Sequence, residues 1–464
     1  MLERLVNIIP QSLSGEANQD SEPNLAVNPA RPTDMVATAF TPDPMHGANA
    51  PIYVSNDGGE SWSLRTVVPG NGPSGTMDIS VGFATSGGIL YCGILSPNAP
   101  IGKTRLQILR TSNFLSTATM PVLVDRLGVD QPWVVAGTPL AAPGGGSDRV
   151  YVGNNDLGAT AGHTATVDLS LDAAQAPNPA GFAPHRLEQD ATVGQDGPPV
   201  RLAVHPDGTV YAVHQRWTAA KGTTISMDVV VTRDDAWGAV ANPFTALSDS
   251  GDHSVGQRVV AARTVVWNAM MGQERLGADS AIAVDPTNSS IVWVAWGDRV
   301  GGRTGKWTVH VSRSTDRGQS WSNDLRTITR GKNPCLAVNA SGHLGLSCQQ
   351  LIGQGPSQRW QTSFEVTADV WATAVKPTVL HTALAALPVH SFLPYLGDYA
   401  RLVAVGPHFY GVFSGSNHPD KVNFPNDVVY QRNTDWPAHT LYDLDGRTPV
   451  PDSIDPFFFH WSGA

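Results

Sequence analysis

The stretch SNDGGESW, Ser55 to Trp62, returns as STDRGQSW at Ser314 to Trp321. Both read Ser-x-Asp-x-Gly-x-x-Trp, and both close the same longer unit. The unit opens with an acidic residue, often followed by Pro, and runs into an apolar strand. A short turn, a second strand rich in Val, Tyr and Trp, a variable loop and a third strand follow. The first copy is DSEPNLAVNP, MVATAF and IYVSNDGGESW; the fifth is DSAIAVDP, IVWVAWGDR and WTVHVSRSTDRGQSW. With the weaker copies, units begin at Asp20, Asp78, Asp130, Asp196, Asp279, Asn333 and Asp398, spaced by 58, 52, 66, 83, 54 and 65 residues.

A unit of three or four short strands cannot bury both faces alone, and several must close on one another. The expected fold is all-β: a single seven-bladed β-propeller with four-stranded antiparallel blades, spanning residues 1–464 without a second domain. A fourth strand follows each octapeptide, LRTVV after Trp62 and LRTIT after Trp321. Residues 4–10, which include LVNIIP, look like such an outer strand and are expected to close the last blade, hiding its edge. LYDLDG at 441–446 competes for that place. Residues 248–277 and 378–397 read as insertions, either lids and contact surfaces or packed flaps.

The octapeptide resembles the Asp-box, or BNR repeat, of the sialidase-like β-propeller superfamily, and the repeat pattern carries the resemblance over most of the chain. Its residues have mechanical roles. Gly59 and Gly318 suit a turn that other residues resist, and Asp57 and Asp316 suit turn amides that no strand satisfies. Ser55 and Ser314 belong to the same turns, which Trp62 and Trp321 cover. The resemblance implies that the boxes lie on the rim opposite the ligand face, and it extends to non-hydrolytic proteins, so the box argues for fold and not activity. A sialidase proper would show a Phe/Tyr-Arg-Ile-Pro motif, three arginines, a Tyr-Glu nucleophile and a separate Asp. Arg4 in RLVNIIP is not that motif. Arg216, Arg299 and Arg401, and Tyr399 beside Asp398, are the nearest counterparts, and exo-sialidase activity is not expected.

Composition narrows the partners. Formal net charge is −10, only 6 of the 30 basic residues are Lys, and no basic run occurs, which argues against nucleic acid. No apolar run is long enough to span a membrane as a helix. The segment MLERLVNIIP lacks the apolar core of a signal peptide, and export by an atypical or trimmed route is favoured slightly over a cytoplasmic home. Three cysteines exclude a disulfide framework. Cys335 and Cys348 would face each other across a hairpin centred on Ser341-Gly342, as a bridge or, by slight preference, as two buried thiols.

The acids that open the units, Asp20, Asp78, Asp130, Asp196, Asp279 and Asp398, would ring the channel mouth. They either cap turns, the favoured reading, or bind a cation such as calcium. A ligand site on a repeated scaffold is expected where units differ, in the loops after the second strands. Those loops carry His46, Lys103, Asn155, Asp156, His163, His214, Arg216, Trp217, Trp296, Asp298, Arg299, Gln349, His418 and Asp420. Arg216, Trp217, Arg299, Asn155, His214 and Trp296 are the candidate ligand-binding set, suited to a sugar by rings and paired donors. Asp298 with Asp130, Asp156 or Asp398 is the candidate catalytic carboxylate pair. The expected function is a glycan-active propeller, a glycoside hydrolase or lyase. The alternatives are a non-catalytic module that binds a glycan or a protein, and a part of a larger assembly.

Overall fold

The computed structural model describes residues 1–40, 50–67, 77–96, 104–139, 146–158, 164–175, 181–187, 200–266, 280–388 and 396–463. These residues form a β-propeller: eight sheets, and no α-helix among the described residues. Six sheets are antiparallel four-stranded meanders, in which each strand pairs with the next along the chain. Their first strands are Ser21–Val27, Ile79–Phe83, Val129–Gly137, Arg201–Val204, Ser280–Asp285 and Gly331–Val338. A seventh sheet starts with Arg401–Val405. Each of these first strands contacts the first strand of the following sheet, and that of the seventh contacts Ser21–Val27, so they stand in a closed cycle around a channel.

Apolar side chains alternate to both faces of each sheet, so the core lies in the seams. Val36 and Ile52 pack on Val81 and Leu109 between the first and second sheets, and Tyr211 and Val229 on Ile282 and Val294 between the fourth and fifth. Polar residues stitch the seams near the channel. Thr38 Oγ1 donates to the Ile79 carbonyl at 2.8 Å, and the Val134 amide donates to Ser80 Oγ at 2.8 Å.

The seventh sheet is assembled from both ends of the chain. Its order is Arg401–Val405, His408–Ser416, Ile454–Trp461, Leu2–Asn7 and Val429–Tyr430. By the repeat pattern, VVYQRNTDW at 428–436 reads as the third strand of this unit. The apolar run of Ile454–Trp461, with Phe457, Phe458 and Phe459 all buried, takes that position instead, and Val429–Tyr430 is left as a short parallel edge. Thr440–Tyr442, which overlaps the start of LYDLDG, belongs to a small separate sheet with Thr434–Asp435 and Pro449–Val450. Residues 257–266 and 378–384, within the two segments read as insertions, are outer strands of the fourth and sixth sheets.

The octapeptides sit where third strands end. Ser55 Oγ donates to Asp57 Oδ1 at 2.7 Å and accepts the Gly59 amide at 3.0 Å, while Asp57 gathers the Glu60 and Ser61 amides. Ser314, Asp316, Gly318 and Ser320 repeat this network. Trp62 is buried against Phe458, edge to face at 5.3 Å, and Trp321 packs on the core between the fourth and fifth sheets. Thr111, Ser170, Asp234 and Thr367 close the third strands of the other four-stranded sheets, and each anchors a side-chain hydrogen bond within its own turn. Replacing Gly59 by Ala is expected to destabilise by about 2–5 kcal/mol, from left-handed backbone and overpacking together. Its φ is +83°, and a Cβ would stand 2.2 Å from Phe458 Cε1. Gly318→Ala has the same φ but meets only Leu247 Cδ1 at 3.1 Å, and should cost about 1–2 kcal/mol. Urea unfolding of both variants separates the two contributions.

Cys335 and Cys348 are free and buried. The hairpin register pairs Cys335 with Ser347, one residue from the expected alignment. A one-residue slip sends the second side chain to the other face of the sheet.

Candidate functional site

The channel holds a cavity of about 300 Å³, lined by apolar residues such as Val135, Leu202, Ile282 and Leu336 together with Arg201, Ser280 and Arg401. Its charged groups come from one position. The residue preceding the apolar triplet of each first strand is Asn24, Ser80, Trp133, Arg201, Ala281, Cys335 and Arg401 in turn. Seven copies of one backbone position thus supply two guanidinium groups and an indole.

These three converge. The Arg201 guanidinium carbon lies 3.9 Å from the Trp133 ring centroid, and that of Arg401 lies 4.2 Å from it. Tyr399 meets Trp133 edge to face at 5.8 Å, with Arg201 5.2 Å from its ring. The Tyr399 hydroxyl donates to Asp78 Oδ1 at 2.8 Å, and Glu22 Oε1 accepts the Asp398 amide at 3.0 Å. Gly397 makes this approach possible, since a Cβ there would fall 2.4 Å from Glu22 Cγ. The cluster draws on first strands, or the residues entering them, of five sheets.

The entries to these strands are bent. Glu22, Gln131 and Asn333 each stand two residues before the variable position, and their φ values are +52°, +52° and +50°. The pairing register shifts at the same places. Bulges of this kind re-aim side chains, and left-handed non-glycine residues collect where surroundings over-determine them.

Electrostatics follow from burial. Desolvation, then the charges of Asp78 and Glu22, raise the Tyr399 pKa well above its ordinary value against the opposing charge of Arg201, so the phenol keeps its proton. Burial first, and then Arg201, pull Arg401 down from its ordinary value. It remains a cation, and its buried Nη1 has no hydrogen-bond partner among the described residues. Two adjacent cations over one indole favour an anionic guest.

The loop candidates lie elsewhere. Asp298 is fully buried and committed: Arg263 donates Nε at 2.6 Å and Nη2 at 3.2 Å, Trp296 Nε1 donates at 3.0 Å, and His310 Nε2 lies 3.3 Å away. Asp156 pairs with Arg126, which also holds Asp168. Both carboxylates tie seams together, and neither joins the channel cluster. Arg216 reaches Ser254 Oγ at 3.3 Å, and Arg299 donates to the Gly305 carbonyl at 2.6 Å. Asn155, His214, Trp217 and Trp296 are buried, Trp217 and Trp296 within one apolar seam. Asp130 accepts its neighbour's amide, from Gln131, at 2.8 Å. Asp20, Asp78 and Asp398 are buried, and no three of the described ring acids gather within metal-ligand reach. His46, Lys103, His163, Asp196 and Asp279 lie outside the described residues.

Sequence reading missed Trp133 and Arg201 and set Tyr399 aside. The signal was present as an aromatic or cation on an otherwise apolar inner strand, visible once the seven copies are aligned on their triplets.

Asp298 and His310 also make a pH-sensitive pair. Burial alone would raise Asp298, but hydrogen bonds and charge from His310 and Arg263 hold it below the ordinary value. Burial alone would lower His310, but Asp298 and Asp324 hold it above 6.5. A raised histidine contributes stability below its unfolded pKa and loses it as pH rises through the folded value; a lowered carboxylate loses its contribution as pH falls. His310→Gln should therefore abolish part of the stability loss seen on raising pH above 6.5, measured by urea titration at stepped pH.

No protein-family model matches the sequence, and neither does any curated protein. Solved structures do match. An α-L-arabinanase of Penicillium chrysogenum complexed with arabinobiose is 14% identical with a TM-score of 0.47, covering 78% of this chain and 98% of that one. A protein of unknown function from Dyadobacter fermentans is 12% identical with a TM-score of 0.45, covering 100% and 99%. An ulvan lyase of polysaccharide lyase family PL25, bound to -[GlcA(1-4)Rha3S]-, is 9% identical with a TM-score of 0.49, covering 85% and 92%. At such identities and scores the likenesses carry no argument about what this chain acts on.

Proposed function

We propose that this chain is a glycan-active propeller of the Asp-box type, a single domain of seven blades, acting as a glycoside hydrolase or lyase on an acidic sugar. The observation that carries the reading is the Tyr399–Asp78 hydrogen bond beside two guanidinium groups. A carboxylate on the substrate would supply the acceptor that Arg401 Nη1 lacks and offset the repulsion between Arg201 and Arg401. Asp78 is placed to take the phenol proton. In hydrolysis, the Tyr399 oxygen would bond to the anomeric carbon as the glycosidic C–O bond breaks. Its proton would pass through Asp78 to the departing oxygen, which leaves as an alcohol. Water would then attack the same carbon, releasing the sugar, with its proton returning through Asp78 to the Tyr399 oxygen. In elimination, the Tyr399 oxygen would take the proton from the carbon beside the sugar carboxylate as its own passes to Asp78. The couple would hand one proton to the departing glycosidic oxygen as that C–O bond breaks and a C=C bond forms, while the two cations stabilise the charge that develops on the carboxylate.

The test is turnover on a panel of neutral, uronate-bearing and sialylated glycans, reading new reducing ends for hydrolysis and ultraviolet absorbance of unsaturated products for elimination. Turnover of acidic glycans that is lost in Arg201→Gln supports the proposal. Saturable glycan binding without turnover leaves the non-catalytic module, a reading favoured by the complete burial of the Tyr399 phenol. Neither binding nor turnover on any acidic glycan sinks both.

A further inference from the structure

The connection between His408–Ser416 and Ile454–Trp461 makes an excursion of 37 residues, Asn417 to Ser453, that the channel cluster does not use. Its beginning is held rigidly. The Asn417 amide donates to the Ser453 carbonyl at 3.0 Å, its side chain donates to Asp455 at 2.8 Å, and its carbonyl accepts the Tyr430 hydroxyl at 3.0 Å. His418 and Asp420 follow at once, and the excursion folds back so that His439, in the turn before Thr440–Tyr442, stacks over His418 with ring centroids 5.7 Å apart.

One ligand atom from each of His418, Asp420 and His439 lies within 4.8 Å of the others, among the described residues the only such group of three or more. The surroundings fix the rings for coordination. His418 Nδ1 lies 2.7 Å from Asp452 Oδ2, and His439 Nδ1 lies 3.1 Å from the Pro419 carbonyl. Both partners are acceptors, so each Nδ1 carries the proton and each Nε2 keeps its lone pair. A histidine oriented through its second nitrogen by a carboxylate or carbonyl is the arrangement metal ligands adopt. Asp420 is pinned through Oδ1 by the Val422 amide at 2.9 Å, leaving Oδ2 for a cation. His439 holds a φ of +51°, a left-handed turn that presents its ring at this place.

We propose that His418, Asp420 and His439 bind one divalent transition-metal ion. Two imidazoles and one carboxylate suit zinc and its neighbours and disfavour calcium. Three protein ligands leave at least one coordination position, and a cleft of about 360 Å³ lined by Arg359, Asn423, Asp452, His418 and Asp420 adjoins them. The ion would fasten the turn at 436–440 to the root of the excursion.

The test uses the full chain, stripped with EDTA and titrated with zinc chloride by calorimetry, with bound metal counted after gel filtration. One equivalent is expected, with a raised Tm and slower amide exchange across 434–442. His418→Ala and His439→Ala should weaken zinc binding at least 100-fold. Asp452→Asn, which touches no ion, should weaken it about 10–100-fold, an effect a merely structural carboxylate would not produce. His460→Ala removes the other close histidine pair, with His408 at 3.1 Å, and should change nothing. Absence of saturable zinc binding, binding unchanged in His439→Ala, or preference for calcium over zinc overturns the proposal.

Discussion

Replacing Arg432 by Leu is expected to destabilise the protein by about 3–5 kcal/mol, the scale for breaking a buried ion pair from one side. Arg432 and Asp455 are both fully shielded from solvent, with Nη1 3.0 Å from Oδ2. The pair is hydrogen-bonded further by groups far apart in sequence. Arg432 Nη2 donates to the Ser14 carbonyl at 2.7 Å and also to that of Glu16, while Asp455 accepts side-chain amides of Asn7 and Asn417, each at 2.8 Å. One ion pair therefore holds the N-terminal strand, the long excursion and the last strand. Removing the guanidinium leaves a buried carboxylate with only amide partners and takes a donor from each of two backbone carbonyls. Asp455→Leu should cost as much, and the double variant much less than the two together, because it leaves no orphaned charge. Equilibrium urea unfolding reads all three, and a loss under about 1 kcal/mol in Arg432→Leu would refute this account of ring closure.

Tyr399→Phe is expected to lower kcat on a turned-over glycan by about 10²–10⁴-fold, the range for a positioned proton-transfer or nucleophilic group. The substitution removes one oxygen, keeps the edge-to-face contact with Trp133, and takes one donor from Asp78. The stability cost should stay near 1–2 kcal/mol. Catalysis and folding are thus separable: a large fall in kcat with a small fall in stability supports the catalytic couple. A large fall in stability with kcat unchanged would make Tyr399 a core residue. Asp78→Asn should fall with it in kcat, since an amide oxygen still accepts the phenol hydrogen bond but cannot take its proton at neutral pH.

The propeller was legible because its evidence repeats. Seven copies of acid, apolar triplet, second strand and turn give seven chances to read one pattern, and the octapeptides mark where third strands end. The last unit was misread for the same reason. VVYQRNTDW fits the pattern locally, but Ile454–Trp461 buries three phenylalanines in that place, and only tertiary packing decides between them. The candidate site was less legible. Side chains in second-strand loops look available in a sequence, yet Asp298, Asp156 and Trp296 are consumed in the seams, where charge and aromatic surface find partners on the neighbouring sheet. Trp133, Arg201 and Arg401 sit on strands that read as core, and what distinguishes them is convergence across the ring, which no local spacing encodes.

The ends of this chain meet: the Met1 amino group donates to the Ser462 carbonyl at 2.9 Å. Ile454–Trp461 lies between His408–Ser416 and Leu2–Asn7, so until it is made Leu2–Asn7 has no antiparallel partner and His408–Ser416 is paired only with Arg401–Val405. At about 5–20 residues per second, Leu2–Asn7 would wait roughly 20–90 s after its own synthesis before it could dock. Through that interval Leu2–Asn7 stays unpaired in the nascent chain, and His408–Ser416 adds a second open edge of the same ring once it is made. Closure is therefore a single late event, and chaperone capture of the growing polypeptide should be sought there.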